Sequence, residues 1–233
     1  MCISFIIPTK NESKYVEECI KSIKKQHCQK EIIVVDATND AETMRIAKKH
    51  DSAFVFECRK GVSIARNTGA SRAKGDILVF TDADVRFEDG FAEKISSTFS
   101  KEHIAGCVFN LKLWDADNYM QTFGTMAWNS VVRNSIRLGL VMTNGACFAY
   151  RKDIFMKCGG FDTELFTNED HDLAKRASKY GRFKMLDLGV FTSVRRFRKL
   201  GFLDAIKENI KSTIMYVALH KSNMDYWKED SHA

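Results

Sequence analysis

Between Gly75 and Asp84 the chain reads Gly-Asp-Ile-Leu-Val-Phe-Thr-Asp-Ala-Asp, and this stretch restricts the fold more than any other. Ile77 to Phe80 is a short, unbroken apolar run rich in β-formers, which suits a strand buried on both faces of a mostly parallel sheet. The strand then runs straight into Asp82 and Asp84. Carboxylates just past the C-terminal edge of a buried strand stand where open α/β sheets bind ligands. The plainer reading of the pair is an acidic loop or a helix N-cap.

The chain upstream repeats the pattern. Ile3 to Ile7 is a first strand, ended by Pro8, and Thr9-Lys10-Asn11-Glu12 turns into a helix with Val16, Cys19, Ile20 and Ile23 on one face. Glu31 to Val35 is a second strand with Asp36 at its end, and Asn39 or Asp40 caps the helix carrying Met44, Ile46 and Ala47. Ala53 to Phe56 is a short third strand. A helix from about Ser63 to Ala73 follows, closed by Gly75 as a left-handed C-cap. Strands alternating with helices in this way imply βαβ units. Right-handed crossovers place the strand ends carrying Thr9, Asp36 and Asp82 along one edge.

The second half has another rhythm. A helix from Phe91 to Phe99 precedes a β-type run, Ile104 to Leu113, and residues 115–138 read as helical, with Tyr119, Phe123, Met126, Trp128 and Val132 at apolar positions. That segment reads as a cover or docking surface rather than a cofactor box. Asn144 to Tyr150 is a strand, Gly159-Gly160-Phe161-Asp162 a turn, and a helix begins near Glu169, carrying Asp170, Asp172, Leu173 and Ala177. Val190 to Val194 is a last strand, running into Arg195-Arg196-Phe197-Arg198-Lys199. From Phe202 to about Leu219, apolar residues at i+4 steps beside Lys207 and Lys211 describe a helix packed on the domain, or alternatively a basic helix lying on a membrane surface.

Composition narrows the classes. The 233 residues hold one proline and 13 glycines, with 45% hydrophobic and 28% charged residues, which leaves no room for a disordered linker. The seven cysteines are scattered with no C-x-x-C pair, and read as reduced thiols of a cytoplasmic protein without a zinc site. The opening residues read as a strand rather than a leader, and no apolar run approaches the roughly 18 residues of a spanning helix. A net charge of +6 fits nucleotide phosphates, and equally an anionic membrane or nucleic acid.

Together the motifs resemble family-two glycosyltransferases of the GT-A fold over about residues 2–200. Ser4 to Glu12 looks like the family's first strand and nucleotide-binding turn, and Glu31 to Asp36 like its second strand. Gly61 to Gly75, with Ala65-Arg66-Asn67 inside it, is similar to the segment leading to the metal motif. Thr81-Asp82-Ala83-Asp84 is the Asp-x-Asp. Gly159 to Asp162 and Glu169-Asp170-His171-Asp172-Leu173 resemble the acceptor loop and catalytic helix. Two departures stand out: Ala37-Thr38-Asn39 replaces the usual Gly- and Ser-rich loop, and Ser193-Val194-Arg195-Arg196-Phe197 stands near the place of the Gln-x-x-Arg-Trp of processive polymerases. The latter points to a small, single-transfer member.

The resemblance implies a Rossmann-like, nucleotide-binding, mixed and mainly parallel sheet flanked by helices, with a C-terminal amphipathic helix. Residues 1–199 would form one domain, with a nucleotide-sugar half (1–113) and an acceptor and catalytic half (114–199), and residues 200–233 a helical extension. It further implies inverting transfer from a nucleotide-diphosphate sugar to a saccharide or lipid-linked acceptor, with Mg²⁺ or Mn²⁺ as cofactor. Pro8, Thr9, Asn11, Glu12, Asp36, Arg66 and Asp82 would hold the nucleotide. Asp84 would be the direct metal ligand, with Asp82 holding the ribose or a metal-bound water. Asp170, or else Glu169, would be the base that deprotonates the acceptor. Asn144 and Gly145 would approach the donor sugar, Arg195 and Arg196 would clamp the diphosphate, and His171 would be a solvent-facing helix residue. Peripheral membrane contact would run through residues 200–220. The rival readings are a sugar nucleotidyltransferase, which Pro8-Thr9-Lys10-Asn11 matches poorly, and a basic nucleic-acid-binding module on Arg195 to Lys199, which no nucleic-acid fold signature accompanies.

Overall fold

Residue by residue, the computed structural model describes positions 1–101 and 103–201, together with Asp204, Lys207, Lys211 and Ser212. Its first half is the expected series of strands: β1 (Ile3–Thr9), β2 (Lys30–Asp36), β3 (Ala53–Phe56) and β4 (Ile77–Thr81). They lie in the order β3-β2-β1-β4, all parallel, with Thr9 level with Asp36 and Ile6 level with Phe80. Every residue of β4 is buried, as an apolar run covered on both sides must be. Helices α1 (Ser13–Lys24), α2 (Ala41–Lys49) and α3 (Val62–Arg72) make the crossovers. Of the two cap candidates on α2, Asp40 accepts from the backbone of Glu42 and Thr43, while Asn39 takes a left-handed φ of 53°.

The second half adds β5 (Arg86–Phe87), α4 (Phe91–Lys101), β6 (Ile104–Leu113), α5 (Tyr119–Arg137), β7 (Cys147–Arg151) and α6 (Lys152–Lys157). It closes with α7 (Glu169–Ala177), a 3-10 turn, β8 (Arg182–Thr192) and α8 (Arg195–Leu200). The strands of both halves join one eight-stranded sheet in the order β3-β2-β1-β4-β7-β6-β8-β5. Strand β7 runs antiparallel to both β4 and β6, so the sheet is mixed beyond the parallel first half. The two faces carry separate cores, and alternation along β1 assigns them: Phe5 and Ile7 face the side of Ile20, Phe91 and Phe109, while Ile6 faces Phe80, Phe148 and Tyr150. On that second face Phe80 meets the rings of Phe155 and Phe161 at 5.2 and 5.0 Å.

Several expectations are corrected. Gly75 is not left-handed; a Cβ there would meet Ser4 Oγ at 2.6 Å and Ser4 N at 2.8 Å, so the glycine serves close approach of the chain to β1. Pro8 lies inside β1, two residues beyond the pairing with β4 that ends at Ile6, where its missing N–H is tolerated. Strand β7 starts at Cys147 because Gly145, at φ 77°, breaks the extended chain. Strand β8 runs from Arg182 to Thr192 rather than from Val190 to Val194, because it pairs with β6 from Ile104 onward; its partly covered first half carries no apolar run to announce it. The two-residue β5 and the short α6 left no periodic signal. The expected helix from Phe202 falls mostly outside the described residues, although Ser212 is buried and donates to Thr167 Oγ1 at 2.8 Å. Among the described residues no helix is long and apolar enough to cross a membrane.

Candidate active site

The ends of β1, β2 and β4 meet at one edge of the sheet. Thr9 donates its hydroxyl to Asp36 Oδ2 at 2.8 Å, and Asp36 Oδ1 accepts from Thr38 and from the backbone of Thr38 and Asp40 at 2.9–3.0 Å. Asp36 is fully buried, and its carboxylate folds the loop that leads into α2. Asn11 takes a left-handed φ of 57° in the turn after β1, and Glu12 stands at the N-cap position of α1.

Arg66 is the hub of the site. It rises from α3, 4% exposed at the side chain, with its guanidinium over Phe148 at 5.0 Å and Phe161 at 5.5 Å. Its Nη1 donates to Glu169 Oε1 at 2.5 Å, while Nη2 reaches Asp82 Oδ1 and the Gly145 carbonyl, each at 3.5 Å. One guanidinium therefore joins the Asp-x-Asp, the loop before β7 and the start of α7. Its neighbour Asn67 exchanges two 2.9 Å bonds with the backbone of Phe161, pinning the turn at Gly160, where φ is 75° and a Cβ would meet Asn67 Oδ1 at 2.6 Å.

At the second carboxylate, Arg195 Nε donates to Asp84 Oδ2 at 2.7 Å, Nη2 donates to Glu12 Oε1, and the guanidinium lies 4.7 Å from the Tyr15 ring. Thr192 adds a 3.4 Å bond to Asp84 Oδ1, and Trp114 Nε1 donates to the Asp84 carbonyl at 3.1 Å. The basic cluster thus divides. Arg195 turns inward, whereas Arg198 pairs with Asp115 and Asp117. Two of the cations counted toward a nucleic-acid surface are thereby matched by carboxylates. The side chain of Arg196 lies outside the described residues.

Helix α7 begins after Asn168, held at φ 61°, and buries Glu169, Asp170 and Asp172 in its first turn. Asp170 accepts the Thr143 hydroxyl at Oδ2, and His171 Nδ1 lies 3.1 Å from Oδ1. His171 is not solvent-facing: its side chain is 15% exposed and packed on Asp170 and Thr143. Asp172 pairs with Arg176 at 2.6 Å, and Arg176 also donates to the carbonyls of Cys158 and Gly160, so this third acid is an anchor for the glycine turn. Asn144 donates to the Phe109 carbonyl at 2.6 Å and accepts from the Cys147 backbone at 3.4 Å, while Gly145 lies beside Asp170.

The electrostatics separate these acids. Burial, with the charge of Asp170 beside it, pushes the Glu169 carboxyl up to about 7, against the pull of Arg66. Burial also pushes Asp170 up, but His171, Thr143 and Arg66 outweigh it and hold the group below the usual carboxylate range. Loss of hydration, with Asp84 and Glu12 nearby, pushes Asp82 up to about 7 although Arg66 opposes it. Burial raises Asp84 despite Arg195. The two adjacent acids of α7 are thus driven in opposite directions, Asp170 toward the ionised form and Glu169 toward the protonated one.

Among the described residues no group of three or more His, Cys, Asp or Glu side chains gathers to hold a metal ion. Asp82 and Asp84 are hard oxygen donors of the kind that hold a divalent cation with phosphate and water completing its shell. They fit such an ion, which at Asp84 Oδ2 would compete with Arg195. Roles for Asn67, Thr143, Trp114 and Tyr15 were not read from the sequence; only Asn67, inside the Ala-Arg-Asn match, carried a signal.

Residues 4–159 match the family model described as Glycosyl transferase family 2. Glycosyltransferase AglE of Haloferax volcanii is 27% identical over 194 residues, covering 77% of this chain and 62% of that protein. The chain spans 60% and 62% of the length of two curated relatives it matches, and a smaller share of several others. Among solved structures, Staphylococcus aureus TarS 1-349 superposes with a TM-score of 0.68 at 18% identity, over 94% of this chain and 73% of that one. A mannosyltransferase, PcManGT from Pyrobaculum calidifontis, gives 0.67 at 20% identity, over 90% and 64%. The fold is GT-A, and with most of its length inside the family match the chain belongs to glycosyl transferase family 2.

Proposed function

We propose that this chain transfers a sugar, with inversion, from a nucleoside-diphosphate sugar to an acceptor hydroxyl or phosphate, assisted by a divalent cation. The observation that carries the reading is Asp170: a carboxylate held ionised by Thr143 and His171, linked through Glu169 and Arg66 to the Asp-x-Asp at the same mouth. Inverting transfer needs a base on the face of the sugar opposite the leaving group. As the acceptor oxygen bonds to the anomeric carbon, its proton passes to Asp170, and the bond from that carbon to the diphosphate breaks. Glu12, Thr9 and the loop shaped by Asp36 form the nucleotide side, and Arg195 moves onto the departing diphosphate, where a guanidinium pairs with phosphate oxygens in bidentate fashion. A cation held by Asp84 and Asp82 supplies charge neutralisation of that leaving group.

The donor class is supported by the neighbours: one TarS structure is a complex with UDP-GlcNAc, and that of PcManGT holds GDP-Man and Mn²⁺. The acceptor is a saccharide or a lipid-linked group. The test is a thermal-shift series with UDP, GDP, CDP and dTDP, each with and without Mn²⁺, since a ligand that binds the native state raises its stability by mass action. A single nucleotide that stabilises the chain only with the metal supports the reading; no response to any of them overturns it.

A further inference from the structure

Helix α5 is built inside out. It turns Gln121, Thr125, Val132 and Ser135 toward the sheet and leaves Tyr119 94%, Met120 65%, Phe123 70% and Met126 63% exposed. Leu138 and Leu140, just past its end, are 77% and 67% exposed. Polar bonds hold its inner side: Asn129 both accepts from and donates to the backbone of Leu111 at 3.0 and 2.8 Å, and Gln121 accepts from the backbone of Asp117 at 2.7 Å. The outer side chains thus contribute nothing to the helix's hold on β6. A contiguous apolar face of this kind marks a contact surface.

Its charge says what that contact is. The chain contains 30 acidic residues, yet none stands between Asp117 and Asp153, and α5 itself carries Arg133, which reaches Asn110 and Asp187, and the exposed Arg137. The acids just before the helix, Asp115 and Asp117, are matched by Arg198. We propose that the outer face of α5 docks on an anionic lipid bilayer, with Tyr119, Phe123 and Met126 entering the headgroup boundary and Arg137 meeting lipid phosphate. Aromatic and sulfur-bearing side chains beside an exposed cation, on a helix that itself carries no carboxylate, are the pattern of an interfacial helix. Anionic headgroups attract each nearby cation, whereas a second copy of the same face would set Arg137 against its like. In the sequence the helix stands between Trp114, which bonds Asp84, and Thr143, which bonds Asp170, so the segments at both its ends are tied to the site. The inference stands on surface and charge, independently of the transfer reaction.

The test is flotation of the full chain with vesicles of phosphatidylglycerol and phosphatidylcholine, against phosphatidylcholine alone, for wild type and the double variant Phe123→Ser/Met126→Ser. Both side chains face solvent, so thermal midpoints should agree. Wild type should float with the anionic vesicles, and the variant's partition should fall by about tenfold or more. Absence of flotation, or flotation of the variant like wild type, overturns the proposal. So does loss of flotation on Lys207→Glu/Lys211→Glu with the double variant unaffected, which would assign the contact to the C-terminal residues. A wild-type dimer by light scattering that the double variant turns monomeric, without vesicle binding, would assign the face to a second copy.

Discussion

Arg195 Nε donates to Asp84 Oδ2 at 2.7 Å, placing a cation on the second carboxylate of the Asp-x-Asp. Removing it should expose that carboxylate to metal. Two unit charges about 4 Å apart interact by about 4 kcal/mol at the effective dielectric of a protein surface. Arg195→Gln should therefore tighten Mn²⁺ binding in the absence of nucleotide by about tenfold or more, measured by calorimetry, while slowing turnover. Unchanged Mn²⁺ affinity would take Asp84 out of the metal site.

Asp170→Asn keeps the shape and the Thr143 contact but abolishes the proton acceptor. Nucleotide binding should persist, and transfer from the donor should fall by about 10²- to 10⁴-fold, the usual worth of a positioned base. Single-turnover kinetics beside a thermal shift with nucleotide separate the two effects. Wild-type turnover would remove Asp170 from the role.

Arg66→Ala leaves Glu169 buried without its cation, and breaking one side of a buried pair costs about 3–5 kcal/mol. Arg66→Lys should recover only part of this, since an ammonium cannot reach Glu169, Asp82 and Gly145 together while lying over Phe148. Urea denaturation of the three proteins gives the ranking.

The raised Glu169 carboxyl has a consequence for pH. Its folded form holds a proton that the unfolded chain releases, so the associated stability is fully present below about 4.5 and is lost as pH rises through about 7. Glu169→Gln should flatten that decline in denaturation midpoint across the window. An equally steep fall in the variant would place the titration elsewhere.

Gly75→Ala tests the close approach at the start of β4. Its Cβ would have to displace Ser4 and the Cys2 carbonyl, which lie 2.6–2.9 Å away. A loss of about 1–3 kcal/mol is expected, in the range of overpacked interiors. A stabilising or neutral alanine would argue for the flexible-cap role instead.

What could be read in advance follows from where each interaction runs. Strands β1, β2 and β4 announced themselves because a parallel strand covered on both faces carries an unbroken apolar run, and the polar residues that end them lie at one edge by chirality of the crossovers. Resemblance placed Asp82, Asp84, Glu169 and Asp170 in one site, and the fold brings them to one mouth. The pairing of Arg66 with Glu169 was out of reach, since its partner lies 103 residues away and no local period records it. Arg195 is clearer still: a run of cations reads as a solvated face until the chain folds one of them onto Asp84. His171 misled for the opposite reason, because a polar residue in a first helical turn gives no sign that Thr143 will cover it.

Strand β7 is inserted between β4 and β6, and Arg66 of α3 is fastened to Glu169 of α7. The seam between the two halves of the chain therefore runs through the interior of a hydrogen-bonded sheet and a buried ion pair. For anyone recombining members of the family, this chain is a poor donor of interchangeable parts. A chimera joined after β6 would fold only if the incoming segment brought its own antiparallel strand in register with Ile77 to Thr81 and a carboxylate opposite Arg66.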